Sequence, residues 1–163
     1  ARLPAPTRGG SVALLVGRCF VIPALVWGVP PARLYGHAKD KSLFARLGGK
    51  KTITAVVDEF VGRVAADTRI NGFFGPTASN PKRLAMFKGN LVDQICEASG
   101  GPCKYKGKDM KSAHAGMNIS SANFDALVQD LVGALDKFKV GQHEKDQLLG
   151  ALGPMKGDIV EAK

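Results

Sequence analysis

The stretch Ile53-Thr-Ala-Val-Val-Asp-Glu-Phe-Val-Gly-Arg-Val64 decides how this chain folds. Its apolar residues, Ile53, Val56, Val57, Phe60, Val61 and Val64, recur every three or four positions, which lays them along one face of a helix. Working outward, Leu84, Phe87, Leu91, Val92 and Ile95 repeat the pattern, and Gly100-Gly101-Pro102 stops it. Phe124, Leu127, Val128, Leu131, Val132, Leu135 and Phe138 give a third amphipathic helix, with Ser120 and Ser121 as candidate caps. Leu148, Leu152, Met155 and Ile159 mark a fourth, in which Pro154 breaks or bends the middle. No stretch alternates with period two for long. The fold class expected is all-α.

Between the second and third helices lies Cys103–Ile119, charged, glycine-bearing and without a continuous apolar face. An irregular stretch of this length inside a short helical domain calls for a functional explanation. It holds His114, and Met110 lies four residues earlier, so both point the same way on one helical turn. The other histidines, His37 and His143, sit in polar or N-terminal surroundings. A lone histidine is more often structural or exposed than a ligand. No zinc-spaced cluster, nucleophile elbow, P-loop or dinucleotide fingerprint is present. A single imidazole among apolar helices is, however, the donor set a five-coordinate haem uses.

The chain has 163 residues with 45% hydrophobic content and 23% charged, enough for one core. Its net charge is +9, of which residues 1–40 carry +4. The charge is diffuse, with no aromatic-studded basic stripe, so nucleic acid is not an expected partner. An anionic small ligand, lipid surface or acidic protein suits the balance. Three cysteines cannot form a complete disulfide framework, and no Cys-x-x-Cys-His attaches a haem covalently. Cys96 and Cys103 are close enough to pair, but the reading taken is two small buried thiols in a reducing compartment.

Two stretches then narrow the identity. Ser42-Leu-Phe-Ala-Arg-Leu-Gly-Gly49, with Val56-Val-Asp-Glu-Phe60, Ala66-Asp67 and Phe73-Phe74, resembles the start of a group I truncated haemoglobin. Gly100-Gly-Pro-Cys-Lys-Tyr-Lys-Gly-Lys-Asp-Met110 and Ala113-His-Ala-Gly-Met-Asn-Ile119 resemble that family's glycine turn and proximal segment. The resemblance spans residues 42–161 and implies a two-over-two helical sandwich around haem b. It implies His114 as the iron ligand. Phe60, Phe74, Tyr105, Met110, Phe124 and Leu127 would line the slot, and Lys82, Arg83 or Lys88 would meet the haem propionates. The chain departs from the family on the distal side. The usual tyrosine after Phe60 is Val61, and the usual glutamine positions read Phe87 and Leu91. Gln94 is the nearest polar candidate there, otherwise a solvent-facing helix residue.

The resemblance implies a globin that binds oxygen, nitric oxide or carbon monoxide. Nitric oxide dioxygenation is implied by the family only and is weakened by the apolar distal side, so the enzymatic reading is not preferred. Residues 42–163 form the expected globin domain. Residues 1–41 form a basic, proline-punctuated extension with an apolar run from Ser11 to Val29. That run has the minimum length of a membrane span, but Arg18 and Pro23 fall inside it. We expect the extension to pack on the domain, on a protein partner or on a membrane surface, in a mitochondrion or plastid or otherwise in the cytoplasm. The competing reading is an accessory subunit of a larger, membrane-bound organellar complex, tethered by residues 1–41.

Overall fold

In the computed structural model the described residues are 41–162, so the expectations placed on the N-terminal extension and on His37 lie outside them. The described residues form eight α-helices and one 3-10 turn, with no strand among them. Helix α1 runs Leu43–Arg46, α2 Gly49–Ala66, α3 Asn71–Ala78 and α4 Pro81–Ala98. After an irregular loop come α5 Met110–His114, α6 Ser121–Lys137 and α7 Gln142–Leu152. A 3-10 turn, Gly153–Met155, then leads to α8, Lys156–Ile159. No helix among them is long and apolar enough to cross a membrane.

The quoted stretch is the centre of α2. Ile53, Val56, Val57, Phe60 and Val64 are buried, and α2 packs on α4 along one side and on α6 along another. Burial of one such side chain stabilises by roughly 1.5–3 kcal/mol, and five on one face commit α2 to the interior. From α4 the core takes Val92, Ile95 and Cys96; from α6 it takes Ala126, Leu131, Ala134 and Leu135; from α7 it takes Leu148. Phe138, expected on the apolar face of α6, instead caps the helix and is 38% exposed. The chain turns away there, because Lys139 takes a left-handed φ of 56°.

Local chemistry sets the helix boundaries. Asn80 caps α4 by accepting from Arg83 N–H at 3.0 Å, with Pro81 as the first helical residue. Ser120 and Asn123 form a reciprocal capping box at the start of α6, and Ser121 is the first helical residue. Pro154 falls in the 3-10 turn, where the fourth expected helix breaks into α7 and α8. Gly48 and Gly49 both take positive φ between α1 and α2, and a Cβ on Gly48 would collide with Thr52.

The end of α4 corrects one expectation. Gly100 takes a φ of +78°, its N–H donates to the Glu97 carbonyl at 3.0 Å, and Gly101 N–H donates to the Cys96 carbonyl at 2.8 Å. This is a Schellman reversal, and it turns the chain back along α4. Cys103 therefore lands beside Cys96, with a Cα–Cα distance of 5.7 Å, and the two form a disulfide, not a pair of free thiols.

Candidate functional site

A second, smaller core gathers residues from α3, α5, α6, the 3-10 turn and α8. Ile119, Phe124 and Ile159 are buried there, with Phe73, Met110, Met117, Val128, Met155 and Val160 packed around them. Helix α5 belongs to this cluster and packs chiefly on α8. Gln94, on the same face of α4 as Phe87 and Leu91, reaches this cluster. The Gln94 side-chain amide donates weakly to the thioether sulfurs of Met110 at 3.5 Å and Met155 at 3.2 Å. Gln94 is thus half-buried and turned inward, not out to solvent. The seam between α4 and α5 is lined by rings, thioethers and branched aliphatic groups.

His114 closes α5 and is half-buried. Its Nδ1 lies 2.7 Å from the Met110 carbonyl oxygen. A carbonyl only accepts, so Nδ1 carries the proton and Nε2 keeps its lone pair. One turn of helix thus fixes both the tautomer and the plane of the ring, the arrangement a metal-binding imidazole needs. The turn is short but well held. Asp109 caps it, its carboxylate accepting from Ser112 N–H at 2.9 Å, and that bond holds the Asp109 carboxyl below the usual carboxylate range. After His114 the chain passes through Gly116, with φ +77°, and Asn118, with φ 52°. The Glu161 carboxylate accepts from the N–H groups of Gly116 and Asn118, each at 2.9 Å. Those two bonds lower its pKa. The C-terminal residues also clasp the segment through Glu161 N–H and Ala162 N–H, which donate to the Ile119 carbonyl at 3.0 and 3.1 Å.

The expected site residues are distributed as follows. Phe74 meets Phe87 with ring centroids 5.6 Å apart and tilted by 52°. Val61, Phe74, Leu91 and Leu127 are half-buried against the larger core, while Met110 and Phe124 belong to the smaller one. Phe60 is buried in the larger core. Tyr105 is engaged elsewhere, because its hydroxyl donates to the Lys108 carbonyl at 2.8 Å and its ring covers Gly107. Burial, then the charge of Asp109, pushes its phenol pKa up. Of the three cations considered for propionates, Lys88 is already paired with Asp58 at 2.9 Å. Lys82 and Arg83 form no ion pair among the described residues. Phe73, Met117, Val128 and Met155 were not expected at the seam. The Phe73-Phe74 pair and the thioether spacing were visible signals, but their neighbours come from distant elements.

The donor set fits a haem: one imidazole held by a backbone carbonyl at Nδ1, with no partner for Nε2 among the described residues, beside apolar side chains. Comparison with known proteins points the same way. Residues 42–161 match the family described as bacterial-like globin. The chain is 35% identical over 125 residues to the group 1 truncated hemoglobin GlbN of Mycolicibacterium paratuberculosis, covering 77% of this chain and 88% of that protein. It is 34% identical to the group 1 truncated hemoglobin of Tetrahymena thermophila, covering 69% of this chain and 85% of that protein. Among solved structures, the Fe(III) truncated hemoglobin of Tetrahymena pyriformis superposes with a TM-score of 0.67 at 28% identity, covering 74% of this chain and 98% of that one. The cyanomet 2/2 hemoglobin of Synechococcus, described with covalently attached heme, superposes at 0.66 and 30% identity, covering 73% and 98%. Helical core, seam and matched relatives together place residues 42–161 in one family, and the chain belongs to the bacterial-like globins.

Proposed function

We propose that the protein is a haem globin that binds a diatomic gas, with His114 as the proximal ligand and an apolar distal side. The observation that carries this reading is the 2.7 Å contact between His114 Nδ1 and the Met110 carbonyl, which leaves Nε2 as the donor. His114 would hold a haem through Nε2, and the haem would supply the iron at which a gas binds. Phe74, Phe87, Leu91, Met110, Phe124 and Leu127 wall the slot, exclude water and hold the macrocycle by apolar contact. Phe60 supports that wall from the larger core, while Tyr105 closes its own loop over Gly107. Lys82 and Arg83, free of other ion pairs among the described residues, are the cations assigned to the propionates.

The distal side offers little polar help to a bound gas. Val61, Phe87 and Leu91 carry no donor, and the Gln94 amide is turned toward sulfur. A missing hydrogen bond to a bound gas costs about 1–3 kcal/mol, or roughly five- to a hundredfold in affinity. Carbon monoxide, which needs less polar stabilisation, is held comparatively well. An absorption spectrum of the purified full chain, with and without dithionite and carbon monoxide, tests the reading. A Soret band that shifts on reduction and again on carbon monoxide is expected. A chain that takes up no haem contradicts the assignment.

A further inference from the structure

Among the described residues about half of the lysines and arginines are paired locally. Nine ion pairs tie up a lysine or arginine apiece. Lys106, Lys108 and Lys111 belong to none of them, and all three are exposed. They fall within six residues of one another, Lys106 and Lys108 on the loop that leads into α5 and Lys111 on α5 itself. The acid inside this stretch, Asp109, is engaged in capping α5.

The loop that carries them is pinned at four points. The disulfide fixes Cys103 to α4. Glu97 accepts from Tyr105 N–H at 2.8 Å and pairs with Lys104 at 2.9 Å, which lowers its pKa. Tyr105 closes the turn over Gly107 onto the Lys108 carbonyl, and Asp109 caps the helix. Three like charges on a chain held this way repel one another and cannot move apart freely. Such an arrangement lowers stability and gains nothing within the fold, but it is pre-organised for an anionic partner. No large exposed apolar residue accompanies it, since Met86 and Phe138 lie on other elements. The patch is suited to charge-steered, transient contact and not to insertion.

Lys111 lies on the same short helix as His114, three residues before it, so one end of the patch adjoins the turn that carries the imidazole. We infer that Lys106, Lys108 and Lys111 form the docking surface for an acidic one-electron donor protein that keeps the haem iron ferrous. This inference rests on the haem reading above. In the step, one electron leaves a reduced iron–sulfur centre of the donor and converts ferric to ferrous haem iron. No bond forms or breaks, and no proton is transferred. Encounters of this class are small and held together mainly by charge.

The test uses the haem-loaded full chain and an acidic [2Fe–2S] ferredoxin as probe. Binding of oxidised ferredoxin is measured by calorimetry, and reduction by reduced ferredoxin by stopped flow, at low salt and at ~0.3 M salt. In the triple variant Lys106→Glu, Lys108→Glu, Lys111→Glu, low-salt binding is expected to weaken and the reduction rate to fall by about tenfold or more. Glutamine at the same positions should give an intermediate loss, which separates charge from misfolding. Dithionite reduction, circular dichroism and the Soret band should stay as in the parent, as should all readouts in Lys41→Glu, Lys51→Glu. Equal ferredoxin rates in parent and triple variant overturn the inference, as does an equal loss in the Lys41, Lys51 control. It is also overturned if the triple variant loses only adsorption to vesicles containing phosphatidylserine. A chain with no Soret band brings down the haem reading itself. An intact Soret band without a ferredoxin effect brings down this inference alone.

Discussion

On the proposed reading neither Val61 nor Gln94 gives a bound gas a strong donor, the first because it is aliphatic and the second because its amide faces sulfur. Val61 stands where a hydroxyl would have served as donor, so replacing it with tyrosine should slow oxygen release by roughly five- to a hundredfold. Gln94 is engaged by two weak sulfur acceptors contributed from 16 and 61 residues away. Gln94→Leu should therefore change oxygen dissociation by less than about twofold. Stopped-flow oxygen release measures both. Slow release in the parent protein would show that a polar group elsewhere reaches the bound gas. A second residue-scale case is Asp130, whose Oδ2 is buried without a hydrogen-bond partner. Burial first, then the Asp67 carboxylate, raises its pKa, partly countered by Arg69 and Arg63. A raised folded-state pKa means that stability is highest below the unfolded value, near 3.9, and is lost as pH rises through the folded one. Asp130→Asn should then stabilise the protein at pH 7, by about 0.5 kcal/mol after solvent screening, with less pH dependence in thermal melts.

At the scale of elements, α5 is too short to hold itself and depends on what flanks it. Five residues cannot form a stable helix alone, so its geometry comes from caps and clasps. Glu161 is the clasp on the C-terminal side. Its folded pKa is depressed, so its contribution is present above the unfolded value, near 4.3, and is lost as pH falls through the folded one. Glu161→Gln should raise amide exchange at Gly116 and Asn118 severalfold at neutral pH. The parent should approach the same behaviour only on acidification. On the N-terminal side the disulfide closes a loop of about eight residues, which by loop entropy stabilises by ~2.5 kcal/mol. Cys103→Ser should lower the melting temperature by several degrees, and a reducing agent should do the same to the parent and nothing to the variant. Unchanged melting in both comparisons would show that Cys96 and Cys103 are not bridged.

For the whole molecule, helix periodicity made the α-fold and its larger core legible, because each buried face repeats every three or four residues. The resemblance also singled out Val61, Phe74, Leu91 and Leu127, which pack against the larger core, and Met110 and Phe124, which belong to the smaller one. Other features were hidden for physical reasons. The Cys96–Cys103 bridge depends on a positive φ at Gly100 that reverses the chain, which spacing alone does not reveal. Gln94 looked like a surface residue, since its sulfur partners are brought to it only by the packing of α5 and the 3-10 turn. Phe73 and Met155 complete the smaller core from α3 and from the break before α8, where short elements carry no readable period. These parts meet at one ring. His114 is the single residue through which the fold, the clasps and the cofactor reading must all pass. The most direct test is the spectrum of His114→Gly purified with haem, recorded before and after addition of imidazole. The five-coordinate ferrous spectrum of the parent should be lost in the variant and restored when free imidazole fills the space left by the side chain. Full haem retention with an unchanged ferrous spectrum and no response to imidazole would contradict the account.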